Sequence, residues 1–362
     1  MPIKVFKTAL KVEKIFKLFK KQWKNHSFFV IITNRAIFKE KIMRKIAVLT
    51  SGGDAPGMNA CVRAVVRYAI YKGMDVYGVE RGYQGLIDNK ISFMTSRSVS
   101  DIIQRGGTIL KTARCPSFRT LEGQQQAADT LCAYGIEGLI VIGGDGSITG
   151  AKALSDNFGI KVIGLPGTID NDLAYTDFTL GFDTAVNTVL SAINNLRDTM
   201  SSHDRVSLLE VMGRRCGDIA LYAGIAGGAE YILIPEKPYD LDEIAKSLVF
   251  SQKRGKTSNM IVLAEGAGDR DEIMKYLKEK AGISIKCTTL GHIQRGGSPT
   301  MADRILAARC AVRAVDLLSE DKGNRVVGIR DNKIIDEDIT EALNEPRRFD
   351  EKLYEISHAL SL

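Results

Sequence analysis

A single carboxylate stands among glycines at the end of an apolar run. In the stretch GLIVIGGDGSITG, residues 138–150, Asp145 follows Gly143 and Gly144 and precedes Gly146. Because glycine has no side chain, a polyphosphate can lie against this backbone, and the carboxylate can hold the Mg²⁺ that accompanies it. An aspartate that only caps the next helix is the alternative. The pattern therefore predicts a phosphate site. This site is not a standard P-loop, because the chain has no G-x-x-x-x-G-K-[ST] motif, and its G-x-G-x-x-x-G spacing also differs from the dinucleotide fingerprint G-x-G-x-x-G.

A second loop carries two carboxylates one residue apart. In PGTIDND, residues 166–172, Asp170 and Asp172 follow the hydroxyl of Thr168. If both carboxylates face one cleft, one can take the proton from an attacking hydroxyl while the other helps to position metal or water. Asn171 and Asp172 can instead be turn formers. The loop is therefore a candidate for general base catalysis.

Three further loops combine glycine with anion-binding groups. SGGDAPGMNA, residues 51–60, places two glycines before a predicted helix whose positive end favours an anion, with a tight turn as the alternative. MGRRCG carries Arg214, and TLGHIQRGG carries His292 and Arg295, whose guanidinium can bind phosphate oxygens in bidentate fashion. A lone histidine is by default structural, but His292 beside QRGG fits a phosphate contact. Together the loops predict Mg²⁺-dependent phosphoryl transfer to a small acceptor that is already phosphorylated.

The elements that must position these loops are short β-branched runs, which alternate with helical patterns. The runs are KIAVLT 45–50, GLIVI 138–142, KVIGL 161–165, VSLLEV 206–211, YILI 231–234, NMIVLAE 259–265 and RVVGI 325–329. This alternation predicts an α/β fold with mainly parallel sheets covered on both faces, in which ligands bind beyond the carboxyl ends of the strands. The long helical pattern near 182–202 is a candidate hinge between two lobes.

Length and composition restrict the class of protein. A chain of 362 residues favours two α/β lobes or one large domain with an insertion. A content of 44% hydrophobic and 26% charged residues is ordinary for a soluble globular protein. No apolar run is long enough to span a bilayer. Six scattered cysteines without a C-x-x-C pair indicate reduced thiols in a cytoplasmic protein, which argues against a disulfide framework or a zinc site.

The positive charge of the chain resides in its first 42 residues. Residues 1–42 hold eleven Lys and Arg against two Glu, a net charge of +9. The whole chain has a net charge of +7, so residues 43–362 carry a net charge of −2. An electrostatic argument for a polyanionic partner applies to this segment alone, which could also form a membrane-surface helix or a transit peptide. Because a complete domain begins at Met43, we expect 1–42 to be a basic N-terminal extension outside the fold. We expect neither nucleic acid nor membrane as a partner.

The motifs TSGGDAPGMN, IGGDGS, PGTIDND, EVMGR and LGHIQRGGSPTMADR occur in this order. In this combination the chain resembles the bacterial ATP-dependent 6-phosphofructokinase family from Met43 to Leu362. The resemblance implies two Rossmann-like three-layer lobes with the active site in the cleft between them. It places a large ATP-binding lobe at 43–181 plus 294–344 and a smaller sugar-phosphate-binding lobe at 182–293 plus 345–362. It further implies a homotetramer that uses Mg-ATP to phosphorylate fructose 6-phosphate at its 1-hydroxyl, the committed step of glycolysis.

The resemblance also implies the residues of the active site. It assigns ATP contacts to Gly53, Arg114, Cys115, Gly144, Asp145, Gly146 and Ser147, with Asp145 as the Mg²⁺ ligand. It assigns catalysis to Asp170 as the base, Thr168, which steadies the transferred phosphate, and Arg214. It assigns the sugar phosphate to Thr168, Ile169, Asp170, Arg205, Met212, Gly213, Arg214, Glu265, Lys286, His292, Ile293, Gln294 and Arg295, with Arg205 and Lys286 supplied by a neighbouring subunit.

An effector site for ADP and phosphoenolpyruvate between subunits is implied as well. Its residues are Arg63, Arg67, Arg197, Gly228, Ala229, Glu230, Arg254, Lys256, Thr257 and Ser258. Taken without the resemblance, Arg63 and Arg67 form a solvated basic face at i and i+4. Arg97 falls next to, not on, a position where some relatives have an effector arginine. Lys286 stands where the family usually has Arg, and we expect the loss of the planar fork to weaken sugar-phosphate binding by about 1 kcal/mol.

Two glycines bear on the phosphoryl donor. In pyrophosphate-using relatives the positions of Gly146 and Gly167 look like Asp and Lys, which crowd the region of an ATP α-phosphate. Both are glycine here, so we expect ATP, with a pyrophosphate-dependent phosphofructokinase as the alternative. A lipid or NAD kinase with a similar GGDGS loop does not explain PGTIDND together with GHIQRGG. A non-catalytic regulatory subunit does not explain the presence of Asp145, Asp170 and Arg214.

Overall fold

The computed structural model describes residues 45–203, 205–256 and 258–361, which belong to one compact unit, Met43–Leu362. Its strands are β1 Lys45–Thr50, β2 Asp75–Val79, β3 Ile91–Met94, β4 Gly138–Gly143, β5 Lys161–Pro166, β6 Val206–Val211, β7 Tyr231–Leu233, β8 Asn259–Ala264, β9 Ile285–Thr289, β10 Arg325–Arg330 and β11 Lys333–Asp338. Its α-helices are α1 Met58–Tyr71, α2 Gly82–Ile87, α3 Leu121–Ala133, α4 Asp145–Phe158, α5 Phe182–His203, α6 Asp218–Ala226, α7 Leu241–Lys253, α8 Arg270–Ala281, α9 Met301–Ser319, α10 Ile339–Asn344 and α11 Glu351–Leu360. Single 3₁₀ turns cover Pro116–Arg119 and Gly291–Arg295.

The first sheet has seven strands in the order β11-β10-β5-β4-β1-β2-β3. Its centre is parallel, while the edge strands β3 and β11 pair antiparallel with their neighbours. In register, Thr50 at the end of β1 lies opposite Ile142 of β4, and Gly143 at the end of β4 lies opposite Pro166 of β5. Three adjacent parallel strands therefore end at the same edge of this sheet.

The second sheet has four parallel strands in the order β7-β8-β6-β9. Every residue of β8 is buried, because apolar side chains on both of its faces are covered by helices. Here too the strands β8, β6 and β9 are neighbours, so the loops that follow them meet at one edge.

Helix α5 belongs to the core that connects the two sheets. Its residues Val189 and Ile193 are fully buried in one apolar cluster that also contains Ile142 of β4 and Val211 of β6. The amino end of α5 is held by the buried carboxylate of Asp303 from α9, which accepts hydrogen bonds from the backbone N–H groups at 181 and 184 at 2.8 and 2.9 Å. Side-chain packing and this cap together fix α5 between the sheets.

The seven runs predicted as strands are all strands, and the helix predicted at 182–202 spans 182–203, so the expected α/β fold with mainly parallel sheets is confirmed. The sequence pattern does not predict the strands β2, β3, β9 and β11, because none of them carries a continuous apolar run, and β3, β9 and β11 are largely half-buried or exposed. None of the described helices combines the length and hydropathy needed to cross a membrane. The lobe boundaries stay predictions. Residues 1–42 and Thr257 lie outside the described residues.

Candidate active site

The loops that follow β1, β4 and β5 contact one another. The backbone N–H of Ser51 donates to the carbonyl of Ile142 at 3.0 Å, and the N–H of Gly167 donates to the carbonyl of Gly143 at 3.0 Å. These bonds continue the sheet pairing past the ends of the strands. Three of the five loops singled out in the sequence are thereby brought together.

The loop after β4 leaves backbone N–H groups open at the start of α4. The helix begins at Asp145, and its N-cap is Gly144, which has no side chain to cap it. Asp145 is an exposed first-turn residue, so its side chain does not have the capping role that was the alternative. A Cβ on Gly143 would lie 2.6 Å from the carbonyl oxygen of Ser51, which is closer than any side chain tolerates. The glycines thus permit the tight packing that a phosphate loop requires.

An aromatic pair that the sequence did not single out connects this loop to Arg114 and Cys115. The rings of Tyr83 and Phe118 stack with centroids 4.0 Å apart, and the Tyr83 hydroxyl donates to the carbonyl of Ser147 at 2.5 Å. Phe118 lies in the 3₁₀ turn that follows Cys115. Tyr83 and Phe118 are far apart in the sequence and belong to no motif, so the sequence does not predict that they stack. Only the structure shows that the pair lies against the loop.

The carboxylate of Asp170 is 1% exposed and lies between the loops of the two sheets. Its Oδ2 is 3.2 Å from Nε of Arg214, while its Oδ1 has no hydrogen-bond partner. Burial and the charge of Asp172 raise the pKa of Asp170, and the cations Arg214 and Arg295 oppose this increase. The Thr168 hydroxyl accepts a hydrogen bond from the backbone N–H of Asp170 at 3.2 Å, which fixes the turn. A buried carboxylate with one free oxygen is suited to accept a proton.

The second carboxylate of this loop, Asp172, also has a buried oxygen without a partner, Oδ1. Burial raises its pKa, Arg214 lowers it, and the charge of Asp145 raises it, so Asp145 lies within electrostatic range of Asp172. Carboxylate oxygens that have no hydrogen-bond partner and lie beside a glycine loop are suitable ligands for a hard cation such as Mg²⁺, which binds carboxylate and phosphate oxygens. The residues present therefore suit the predicted metal.

The loops of the second sheet are held together around Glu265 and Gln294. The backbone N–H of Arg214 donates to Oε1 of Glu265 at 2.8 Å, and the N–H of Met212 donates to Oε1 of Gln294 at 3.2 Å. Gln294 is fully buried, whereas its neighbour Ile293 is 60% exposed. Gln294 therefore positions backbone within the loop, and Ile293 faces outward beside it.

Arg295 extends from this second group to the first. Its Nη1 donates to the carbonyl of Asp54 at 3.3 Å, and its guanidinium lies so close to Gly53 that a Cβ there would overlap it. Its charge also reaches Asp170. The structure thus places Arg295 beside a predicted nucleotide contact as well as beside the predicted base.

The family model for phosphofructokinase matches residues 45–318, which is more than half of the chain. The chain belongs to the phosphofructokinase family. Among curated relatives, the ATP-dependent 6-phosphofructokinase of Clostridium tetani is 63% identical and that of Clostridium botulinum strain Hall 62% identical, each over 319 residues that cover 88% of this chain and all of the relative.

Solved structures of phosphofructokinases share this fold. The Saccharomyces cerevisiae phosphofructokinase is 38% identical with a TM-score of 0.78, and the match covers 88% of this chain and 46% of that chain. This chain thus spans about half the length of the yeast chain. A pyrophosphate-dependent phosphofructokinase from Marinobacter aquaeolei is 22% identical with a TM-score of 0.76, over 85% of this chain and 86% of that one, which supports the fold alone.

Two residues predicted from the phosphofructokinase motifs lie away from the others. Arg205 directly precedes β6, and Lys286 lies opposite Ser207 near the amino end of β9, and both are exposed. The loop that carries His292, which is also exposed, follows the opposite end of β9. At about 3.3 Å per residue, Lys286 lies about 10 Å from the carboxyl end of β9, and Arg205 lies about 20 Å from the carboxyl end of β6. Within one chain, Arg205 and Lys286 are therefore near each other and far from the rest of the site.

The residues predicted to bind effectors fall into two groups. Glu230 lies 3.2 Å from Nζ of Lys256, and Nε of Arg197 donates to the carbonyl of Gly227 at 2.9 Å. Gly228, Ala229, Arg254 and Ser258 flank this cluster in the chain. Arg63 and Arg67 lie on α1, which packs on the first sheet.

Proposed function

We propose that this chain transfers the γ-phosphoryl group of ATP to the 1-hydroxyl of fructose 6-phosphate, giving fructose 1,6-bisphosphate and ADP. The observation that carries the proposal is the buried Asp170, which has one oxygen on Arg214 and the other free, beside the glycine loop at residues 143–147. Membership of the phosphofructokinase family and 63% identity to an enzyme named ATP-dependent 6-phosphofructokinase support the same reaction.

In the proposed mechanism, Asp170 accepts the proton of the sugar hydroxyl through its free Oδ1. The hydroxyl oxygen then bonds to the γ-phosphorus as the bond to the β-phosphate oxygen breaks. Arg214, which is 60% exposed, can hold Oδ2 of Asp170 and still present guanidinium N–H groups to the transferred phosphate. Mg²⁺, held by Asp145 with help from Asp172, would neutralise charge on the phosphate oxygens. Positioning and charge neutralisation are expected to supply most of the rate, because phosphoryl transfer needs little covalent help.

Substrate binding is divided between the two sheets. We assign the nucleotide phosphates to the loops after β1 and β4, and the sugar phosphate to the loops after β6, β8 and β9. Arg205 and Lys286 are assigned to the active site of a neighbouring subunit, and their location at the far end of the second sheet supports this assignment. A homotetramer in the cytoplasm, regulated by ADP and phosphoenolpyruvate at the cluster around Glu230, completes the proposal.

The glycine positions favour ATP over pyrophosphate. A Cβ on Gly146 would meet no atom within 4 Å, so the backbone there leaves open space beside the loop for a nucleotide. A Cβ on Gly167 would lie 2.9 Å from Cγ2 of Ile142 and 3.0 Å from the backbone nitrogen of Gly143, so a lysine at this position requires a different backbone.

The deciding experiment compares initial rates with fructose 6-phosphate and Mg²⁺ when either ATP or pyrophosphate is the donor. We expect turnover with ATP alone. Turnover with pyrophosphate alone would show that the two glycines do not determine the donor. No turnover with either donor, in a folded preparation, would overturn the proposed function.

A further inference from the structure

A hydrogen-bonded network outside the predicted residues reaches the catalytic loop through Asn171, which lies between the two carboxylates of PGTIDND. Asn171 has a left-handed backbone with φ 52°, which residues other than glycine rarely adopt. Its Oδ1 accepts the backbone N–H of Thr179 at 3.0 Å. Its Nδ2 donates to the carbonyl of Asp177 at 3.1 Å and to Oδ2 of Asp218 at 2.9 Å. The side chain of Asn171 therefore holds the loop in an uncommon conformation.

Asp218 connects Asn171 to the carboxyl-terminal part of the chain. It is the first residue of α6, and its Oδ1 accepts a hydrogen bond from Nη2 of Arg347 at 2.7 Å. Nη1 of Arg347 bonds to Glu236, which in turn accepts the backbone N–H of Gly217 at 2.9 Å. The side chains of Asp218, Glu236 and Arg347 are 16%, 15% and 24% exposed. One largely buried guanidinium thus ties together three segments beside the catalytic loop.

The carboxylates of this network already bond a cation of the protein. Cys216, Asp218 and Glu236 have potential ligand atoms within 4.8 Å of one another, an arrangement that could hold a metal ion. The guanidinium of Arg347 already bonds both carboxylates, so a cation is present where a metal would be needed. Burial and the charge of Asp218 raise the pKa of the Cys216 thiol, which keeps it protonated. The cluster is therefore a structural ion network.

We propose that Asp218, held by Arg347, is a positioning residue for Asp170. Asp218 fixes the amide of Asn171, and Asn171 fixes the direction in which the neighbouring Asp170 carboxylate points. The inference rests on the proposed function, since it takes Asp170 as the base. Asp218 contacts none of the reacting groups and acts only through Asn171.

The substitution Asp218→Asn tests this role with little change in volume. The carboxylate accepts from Arg347 on Oδ1 and from Asn171 on Oδ2, whereas an amide has only one acceptor oxygen and places a donating NH₂ group at the other position. We expect kcat to fall by about tenfold to a hundredfold, because small misplacements of a catalytic group are costly, while the KM values for both substrates change by less than about twofold. Arg347→Lys, which keeps the charge but loses the fork, should retain more kcat than Arg347→Gln.

Asp336 provides a matched control for the loss of a buried ion pair. It lies on β11, its side chain is also 16% exposed, and it is bonded by Arg313 and Arg325. Asp336→Asn should lower the Tm as Asp218→Asn does and leave kcat within about twofold of the wild type. Equal losses of kcat in the two variants would mean that general destabilisation is the cause, which overturns the proposal.

Hydrogen exchange gives a second readout that does not depend on the reaction. Exchange in the segment 168–181 should be faster in Asp218→Asn and Arg347→Gln than in the wild type, and unchanged in Asp336→Asn. Unchanged exchange in this segment, or an unchanged kcat in folded Asp218→Asn, would overturn the inference. Inactivity of the wild-type protein towards ATP and fructose 6-phosphate would instead remove the proposed function, and hydrogen exchange would still decide whether Asp218 orders the loop.

Discussion

The environment of Asp170 combines two opposing influences on one carboxylate. Burial and Asp172 favour the protonated form, whereas Arg214 and Arg295 favour the ionised form. Because Arg214 occupies only Oδ2, the other oxygen is left for a substrate proton. At the scale of single residues, the proposed proton transfer therefore depends on which oxygen of Asp170 is paired and which is free.

Replacement of the base tests this arrangement. For Asp170→Ser we expect kcat to fall by about 10² to 10⁴ fold with little change in KM, because the lost interaction involves a proton transferred in the transition state. The measurement is steady-state kinetics with both substrates varied. The control is Asp129→Ser on the exposed face of α3, which should behave as the wild type. An unchanged kcat in Asp170→Ser would remove Asp170 from the role of base.

The acidic limb of the pH profile follows from the same residue. Asp170 must be ionised to accept a proton, and its pKa is raised above the ordinary value of 3.8. The ratio kcat/KM, which reports the free enzyme, should therefore decrease as the pH falls through a midpoint above 3.8. Circular dichroism at each pH would establish that the protein remains folded. A limb at or below the ordinary value in folded protein would contradict the assignment.

Lys286 offers a prediction of improved binding. Lys286→Arg should lower the KM for fructose 6-phosphate by about fivefold, because arginine adds a planar fork that binds phosphate in bidentate fashion. The KM for ATP should not change. Lys278→Arg on α8 is a control for the same chemical change at another site. An unchanged KM for the sugar phosphate in Lys286→Arg would refute the expectation.

At the scale of elements, the site depends on how closely strand ends and glycine loops pack. Adjacent parallel strands bring loops that are far apart in sequence to one edge, and the packing there leaves no room for side chains at some glycines. Gly143 ends β4, and Gly146 lies three residues later in the first turn of α4. A Cβ would meet the Ser51 carbonyl at Gly143 and no atom within 4 Å at Gly146.

These two glycines form a matched pair for stability measurements. Gly143→Ala should lower the free energy of unfolding by about 1 to 3 kcal/mol, because a Cβ there overlaps backbone that must shift. Gly146→Ala, in the first turn of α4, should leave stability unchanged or raise it by up to about 1 kcal/mol through the reduced entropy of the unfolded chain. Denaturant titration measures the free energy of unfolding of both variants. Equal changes in the two variants would show that the backbone around residue 143 shifts without cost to accept a Cβ.

At the scale of the whole molecule, the separation of Arg205 and Lys286 from the remaining predicted residues requires an explanation. Both residues lie at the amino end of the second sheet, whereas Arg214 and Glu265 lie at its carboxyl end. The proposed site shared between subunits would account for this geometry, because a neighbouring subunit would supply the two cations that lie far from the chain's own site.

Subunit complementation tests the shared site. When Asp170→Ser subunits are dissociated and reassembled with an equal amount of Arg205→Ala/Lys286→Ala subunits, mixed pairs contain one intact site. Random assembly should restore about a quarter of wild-type activity at low fructose 6-phosphate, far above either parent. Separately assembled parents that are mixed without dissociation are the control. Activity no higher than the mean of the parents would show that each chain completes its own site.

The sequence determined which loops carry candidate chemical groups and which runs become the main strands. Glycine, aspartate and arginine in loops after β-branched runs are local signals, and adjacency of the strands' carboxyl ends follows from the parallel sheet. The phosphate loop, the two-carboxylate loop and seven strands could therefore be predicted from local pattern and family motifs.

Only the tertiary structure decided which side chains meet across distant segments. The stacking of Tyr83 on Phe118, the bond from Arg347 to Asp218 and the contact of Arg295 with Gly53 join residues with no periodic or adjacent relation in the sequence. The short strands β2, β3, β9 and β11 likewise depend on pairing with neighbouring strands. Such contacts are fixed by packing and burial, which depend on the whole fold, whereas a loop's chemical composition depends only on its own residues.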